Sequence, residues 1–190
     1  MANPLSEQEQ QVLLKLARKF LISAAKHESI NLDISLYSKA LREKGASFVT
    51  LTKEGVLRGC IGVLEAYRPL VQDVCENAIS AATKDYRFSP VKPHEIQDIH
   101  IEISRLTTPL PLLYQSPQEL IDRIRPGVDG VVIRHEFQRA TFLPQVWDKI
   151  PETNDFLSQL CLKMGVDAEL WMRESLSVSL YQVEEFEELK

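Results

Sequence analysis

The sequence predicts an α+β protein with a mainly antiparallel β-sheet flanked by helices. Three observations carry that prediction. An amphipathic helical stripe opens the chain, a hairpin pattern covers residues 48–63, and a strictly alternating strand lies at residues 99–104. Strands and helices mix without the regular strand–helix–strand spacing that would build a parallel sheet.

The elements follow in order. Ser6 and Glu9 form an S-x-x-E capping box, and Val12, Leu13, Leu16, Ala17, Phe20, Leu21 and Ala24 then recur on one helical face. A short helix is expected over residues 35–43. Residues 48–52 and 56–63 flank Glu54-Gly55, a turn pair that makes them a β-hairpin. Pro69 stands where a first helical residue belongs, and Leu70, Val71, Val74, Ala78 and Ala81 carry an apolar stripe to about Thr83. Residues 85–93 read as a loop closed by Pro90 and Pro93. Beyond it, alternation turns Ile99, Ile101 and Ile103 inward and sets His100, Glu102 and Ser104 on the other face.

Ser116 and Glu119 form a second capping box, with Pro117 opening a helix to about Arg125 that Pro126 and Gly127 end. Strands are expected near residues 131–135 and 139–142. Helical segments follow Leu143, one of them C-capped by Gly165. A last strand over residues 176–183 precedes what reads as a solvated acidic tail.

Composition narrows the function classes. A chain of 190 residues suits one domain, or one domain with a small appended lobe. A net charge of −5 argues against broad electrostatic binding to nucleic acid or to an anionic membrane. No apolar run approaches the ~18 residues of a membrane span, and the N-terminus lacks a basic region followed by an apolar stretch. Cys60, Cys75 and Cys161 are odd in number and widely spaced, which reads as reduced thiols in a cytoplasmic protein.

The segment Leu57-Arg58-Gly59-Cys60-Ile61-Gly62 holds the most chemistry. Strand alternation would put Leu57, Ile61 and Val63 on one face and Arg58 with Cys60 on the other. Gly62 would leave an empty place beside Cys60, and Gly59 would admit a neighbouring backbone. An arginine beside a thiol favours the thiolate, the condition for a reactive cysteine. Free cysteine is equally a small buried hydrophobe, and strand glycines often mark only tight packing. The residues themselves leave both readings open.

Cys75 and Cys161 sit in apolar helical contexts and read as core. Asp85-Tyr86-Arg87-Phe88 puts an acid, a base and an aromatic on one loop, the kind of place where binding residues gather. Their structural alternative is a local ion pair. His100, Glu102 and Ser104 offer a base and its orienter, or merely the polar side of a half-exposed sheet. His27, His94 and His135 read as surface residues. There is no CxxC, no HExxH and no histidine spacing suited to zinc, so no metal and no cofactor is expected. Gly59-x-x-Gly62 lies inside a strand, unlike a dinucleotide fingerprint or the GxxG loop of an RNA-binding KH domain.

Taken together, Leu57-Arg58-Gly59-Cys60-Ile61-Gly62, Asp85-x-Arg87-Phe88-x-Pro90, Ile101-Glu102-Ile103-Ser104, Gly127-x-Asp129-Gly130 and Phe142-Leu143-Pro144-Gln145-Val146-Trp147 resemble the AMMECR domain family in order and spacing. Its prokaryotic members are called AmmeMemoRadiSam system protein A. The resemblance covers about residues 10–187, and so implies a single AMMECR domain over residues 1–190. It implies a two-lobed α+β fold, with a larger sheet-containing lobe, a second smaller α/β lobe, and the Arg58 to Gly62 segment in a cleft between them.

The resemblance also implies partners, a Memo-like protein and a radical-SAM protein, but no established activity. Tyr86 and Ser89 replace prolines of the commoner DPRFPP, and Ala140 replaces a usual glycine. One expectation is an enzyme or small-molecule-binding protein. Cys60 would be nucleophile or thiol carrier, Arg58 its activator, and Asp85 or Glu102 acid or base. Arg87, with Gly59 and Gly62, would hold a small anionic ligand. The alternative is a non-catalytic adapter for those partners.

Overall fold

The computed structural model describes residues 4–189. The chain divides into two compact units, one holding residues 4–106 and 184–189 and the other Thr107–Val183. In the first, helix α1 (Glu7–Ala25) begins at the expected capping box. Ser6 Oγ accepts from the Glu9 N–H, and the Glu9 carboxylate accepts from the Ser6 N–H. A 3-10 turn (Ile34–Leu36) and helix α2 (Lys39–Arg42) stand where one helix over 35–43 was expected. Asp33 and Ser38 each cap a separate short piece, and Leu41 alone is buried there.

Strands β1 (Lys44–Lys53) and β2 (Val56–Gly62) form the hairpin, with Glu54 and Gly55 both left-handed at φ 52° and 77°. That pair of dihedrals suits the right-handed twist of a hairpin. The short strand β3 (Arg68–Pro69) pairs with β1 and leads into helix α3 (Leu70–Thr83). Pro69 is therefore the residue before the first helical one, with extended backbone, rather than the first turn. Strand β4 (Ile99–Leu106) completes the run.

The second unit contains β5 (Leu110–Leu112), α4 (Pro117–Arg123), β6 (Gly130–His135), β7 (Gln138–Phe142), α5 (Thr153–Met164), α6 (Leu170–Arg173) and β8 (Ser177–Tyr181). Its sheet runs β5-β8-β6-β7 and every pair in it is antiparallel. Val131, Ile133, Ala140 and Val178 form a core with Phe156, Leu157 and Leu160 of α5. Helix α4 stops at Arg123, short of expectation, because the Arg125 N–H and guanidinium both turn to the buried Asp129 carboxylate. Trp147 stacks on Phe156 at 3.6 Å between ring centroids and donates its indole N–H to the Asp129 carbonyl. The Gly127-to-Gly130 and Phe142-to-Trp147 strings are thus tied together in this unit's core. Gly165 caps α5 in the left-handed conformation, as expected.

The chain then returns to the first unit as β9 (Val183–Glu187), which lies beside β4 in a sheet ordered β2-β1-β4-β9. This corrects the expectation of a single last strand and a solvated tail. Phe186 enters the core, and the acids are anchored. Glu184 meets Arg105, while Glu188 meets Arg18 and the Ile101 N–H. The acidic composition hid a strand because basic partners from distant segments neutralise it.

α3 packs against β1 and β2, and α1 against α3 and β4, so both helices cover one sheet face. That face is lined by Val49, Leu51, Ile99, Ile101 and Ile103. Two antiparallel sheets with flanking helices constitute the α+β class that the sequence predicts. Among the described residues, no helix is long and apolar enough to cross a membrane.

Candidate functional site

β2 is an edge strand. Its register on β1 pairs Val49 with Ile61, Thr50 with Cys60 and Leu51 with Gly59, then shifts so that Thr52 faces Leu57. Arg58 is the extra residue of the resulting bulge, and bulges re-aim side chains in this way. Leu57 is therefore on the Thr50 and Cys60 face, not with Ile61 as simple alternation predicts. Gly59 faces α3, where a Cβ would stand 2.3 Å from the Ala81 carbonyl oxygen. This is the close backbone approach anticipated. The empty place expected beside Cys60 at Gly62 is absent, because the Phe48 ring fills it, 2.3 Å from where a Cβ would be.

The loop after α3 closes over the outer edge of β2. Asp85 Oδ2 accepts the Cys60 N–H at 2.8 Å, and Arg87 Nη2 donates to the Cys60 carbonyl at 3.3 Å. Two side chains thereby satisfy the strand edge that lacks a neighbouring strand. Arg87 also donates from Nε and Nη2 to the two Asp85 oxygens at 2.9 and 2.7 Å. The Asp85 side chain is only 2% exposed. Its carboxyl is held well below the usual carboxylate range, first by the Arg87 side chain and then by the Cys60 and Arg87 N–H groups, against the cost of burial.

Arg58 reaches the segment that follows Phe88. Its Nε and Nη2 form a fork on Glu95, both at 3.0 Å, and Nη1 donates to the Ser89 carbonyl at 2.9 Å. Glu95 belongs to a 3-10 turn over Pro93–Asp98. Arg58 is the main cause that brings its carboxyl down to about 2, helped by the Lys92 N–H. The guanidinium bonded to Cys60 is that of Arg87, at the main-chain carbonyl, while Arg58 is engaged by Glu95.

Between these two arginines lies a basin of about 450 Å³, lined by Arg58, Arg87, Phe88, Ser89, Lys92, His94 and Glu95. Arg87 extends over the Phe88 ring, 5.4 Å from its centroid. Arg87 Nη1, Ser89 Oγ, Lys92 Nζ and the His94 ring have no partner among the described residues.

The sheet face away from the helices carries the other candidates. Thr50 Oγ1 donates to Cys60 Sγ at 3.3 Å. Register places Cys60, Thr50 and Glu102 in one row across three strands, which sets Cys60 and Glu102 roughly 10 Å apart. Burial raises the Glu102 carboxyl, Glu185 and Glu187 raise it further, and His100 opposes them. His100 is itself paired with Glu187 at 2.8 Å. Ser104 on this face is buried rather than solvated. Cys75 and Cys161 lie in the two cores as expected, the Cys75 thiol pushed up to about 12 by burial.

The structure thus brings Arg58 and Arg87 together around one basin with Asp85 behind it, and sets Cys60 and Glu102 on the sheet face. Sequence reasoning missed Thr50, Ser89, Lys92 and Glu95, and placed His94 only on the surface. A two-residue hairpin without a bulge would pair Thr50 with Gly59, so Thr50 needed the observed register. The basin residues 89–95 lie in a stretch that reads only as a loop bounded by prolines.

Comparison with known proteins shows the family and the fold. The family model AMMECR1 matches residues 14–186. The chain is 38% identical over 193 residues to a protein of Methanothermobacter thermautotrophicus, covering 97% of each. It is 36% identical to protein MK0488 of Methanopyrus kandleri, covering 99% of this chain and 92% of the relative. Among solved structures, uncharacterized protein PH0010 from Pyrococcus horikoshii superposes with a TM-score of 0.77 at 31% identity, covering 97% of this chain and 93% of that one.

Proposed function

The chain belongs to the AMMECR1 family, and we propose that it binds a small anionic molecule in the basin at the outer edge of β2. The observation that carries this reading is a concavity of about 450 Å³ in which four donors from separate residues lack protein partners. The two acids beside it, Asp85 and Glu95, are each neutralised by a guanidinium. Concave sites with a few convergent polar groups and an aromatic wall are where small ligands bind. A thermal-shift screen of phosphates, carboxylates and sulfonates tests it. At least one class should raise the melting temperature of the wild type and leave the Lys92→Glu protein unmoved. A flat response from the wild type to every anion defeats the reading.

A second, enzymatic reading is favoured by the bond from Thr50 to Cys60 together with the raised carboxyl of Glu102 in the same row. Under it Cys60 is the nucleophile and Glu102 the group that moves a proton. Mass-spectrometric mapping of chloroacetamide labelling checks this. Cys60 should label faster in the folded protein than in unfolded chain at the same pH, and slower labelling defeats the enzymatic reading.

A further inference from the structure

We propose that the ligand of the basin is a phosphomonoester of a small molecule rather than a carboxylate. This rests on the anion-binding reading above and goes on to name the chemical class. The planar two-nitrogen fork of an arginine matches carboxylate and phosphate alike, and phosphate is also held by single point charges such as lysine. Both forks here are already occupied, that of Arg58 by Glu95 and that of Arg87 by Asp85.

The basin is lined besides by Arg87, Ser89, Lys92 and His94, whose Nη1, Oγ, Nζ and ring nitrogens have no partner among the described residues. Separate point donors suit a tetrahedral group with three terminal oxygens, and lysine binds phosphate as a point charge. A phosphomonoester also carries about −1.5 to −2 at neutral pH, which suits Lys92 and the one free nitrogen of Arg87 better than a single negative charge. A volume of about 450 Å³ leaves room beside the Phe88 ring for an organic group as well as the phosphate.

Isothermal titration of the full chain at low salt, with phenyl phosphate, inorganic phosphate, sulfate and benzoate as probes, tests the proposal. Phenyl phosphate should bind at least about tenfold more tightly than benzoate or either inorganic anion. Lys92→Glu changes an exposed side chain that has no protein partner, so the variant should fold as wild type and lose about tenfold or more in phenyl phosphate affinity. Benzoate binding as tightly as phenyl phosphate overturns the phosphate class while the anion-binding reading survives. Inorganic phosphate or sulfate matching phenyl phosphate overturns the ester. Unchanged affinity in Lys92→Glu overturns the placement in this basin, and no binding by any of the four overturns both the class and the reading beneath it.

Discussion

The outer edge of β2 and the sheet face behind it share one residue, Cys60, yet they are built in opposite ways. At the edge, main-chain groups and charges are tied down in pairs: Asp85 and Arg87 on the Cys60 peptide, Arg58 on Glu95. On the face, Cys60 Sγ has a single hydroxyl partner, and Glu102 is half-buried near two further acids. The edge resembles a frame that fixes donors in place around a basin. The face holds the Cys60 thiol and the Glu102 carboxyl, which burial and two neighbouring acids raise. Preorganised donors suit binding, whereas a carboxyl held toward its neutral form suits proton transfer. The comparison teaches that one glycine-flanked strand gives Arg58 to the basin and the Cys60 thiol to the sheet face.

Breaking the frame should have the largest effect. Asp85→Ala leaves the Cys60 N–H without its acceptor and Arg87 without its counter-charge. A loss of about 3 kcal/mol in stability is expected by urea denaturation, together with loss of anion binding. Retained anion binding in a folded Asp85→Ala protein would separate the basin from the edge pairs.

Gly59→Ala comes next. Its Cβ would meet the Ala81 carbonyl oxygen at 2.3 Å, so β2 or α3 must shift, at a cost of ~2 kcal/mol in the same measurement. Thr50→Val removes the hydroxyl from Cys60 and should cost only about 1 kcal/mol. Anion affinity should stay within about twofold of wild type, as for independent sites. A larger change in affinity would mean that face and edge act as one site.

The smallest effects concern pH and have opposite signs. The Glu95 carboxyl falls from an ordinary 4.5 to about 2 in the fold. It contributes stability that is fully present above 4.5 and lost as pH falls toward 2, so Glu95→Gln should flatten that part of a stability–pH profile. The Glu102 carboxyl is raised, so the fold favours its neutral form. That contribution is present at pH below its ordinary value and is lost as pH rises through the raised one. Glu102→Gln should consequently melt slightly higher than wild type at neutral pH. A lower melting point would show that the ionised carboxylate has a partner that stabilises it.

Much of the fold was legible because its cues are local. The Ser6 capping box, the Glu54-Gly55 turn, the alternation at residues 99–104 and the Gly165 cap each rest on a few neighbouring residues. The misreadings share a cause. The segment of β9 reads as solvated tail because Arg105 and Arg18, the partners of Glu184 and of Glu188 just beyond the strand, lie far away in the chain. Simple alternation misplaces Leu57 because a bulge at Arg58 interrupts the period of two. At the candidate site, the motif and the Asp85-to-Phe88 loop stood out by residue type. Their division of labour did not, since which acid meets which arginine depends on where the loop returns.

By itself the sequence determined the α+β class, the hairpin that carries Cys60, the close approach at Gly59 and the family. Propensity, period and turn chemistry act over a few residues and are written in their order. Only the tertiary structure decided that Arg87, and not Arg58, meets Cys60, that Phe48 fills the place beside Gly62, and that residues 87–95 wall a basin with four free donors. Those outcomes depend on strand register and loop closure between distant segments. A hydrogen bond forms only where such packing brings donor and acceptor within about 3 Å.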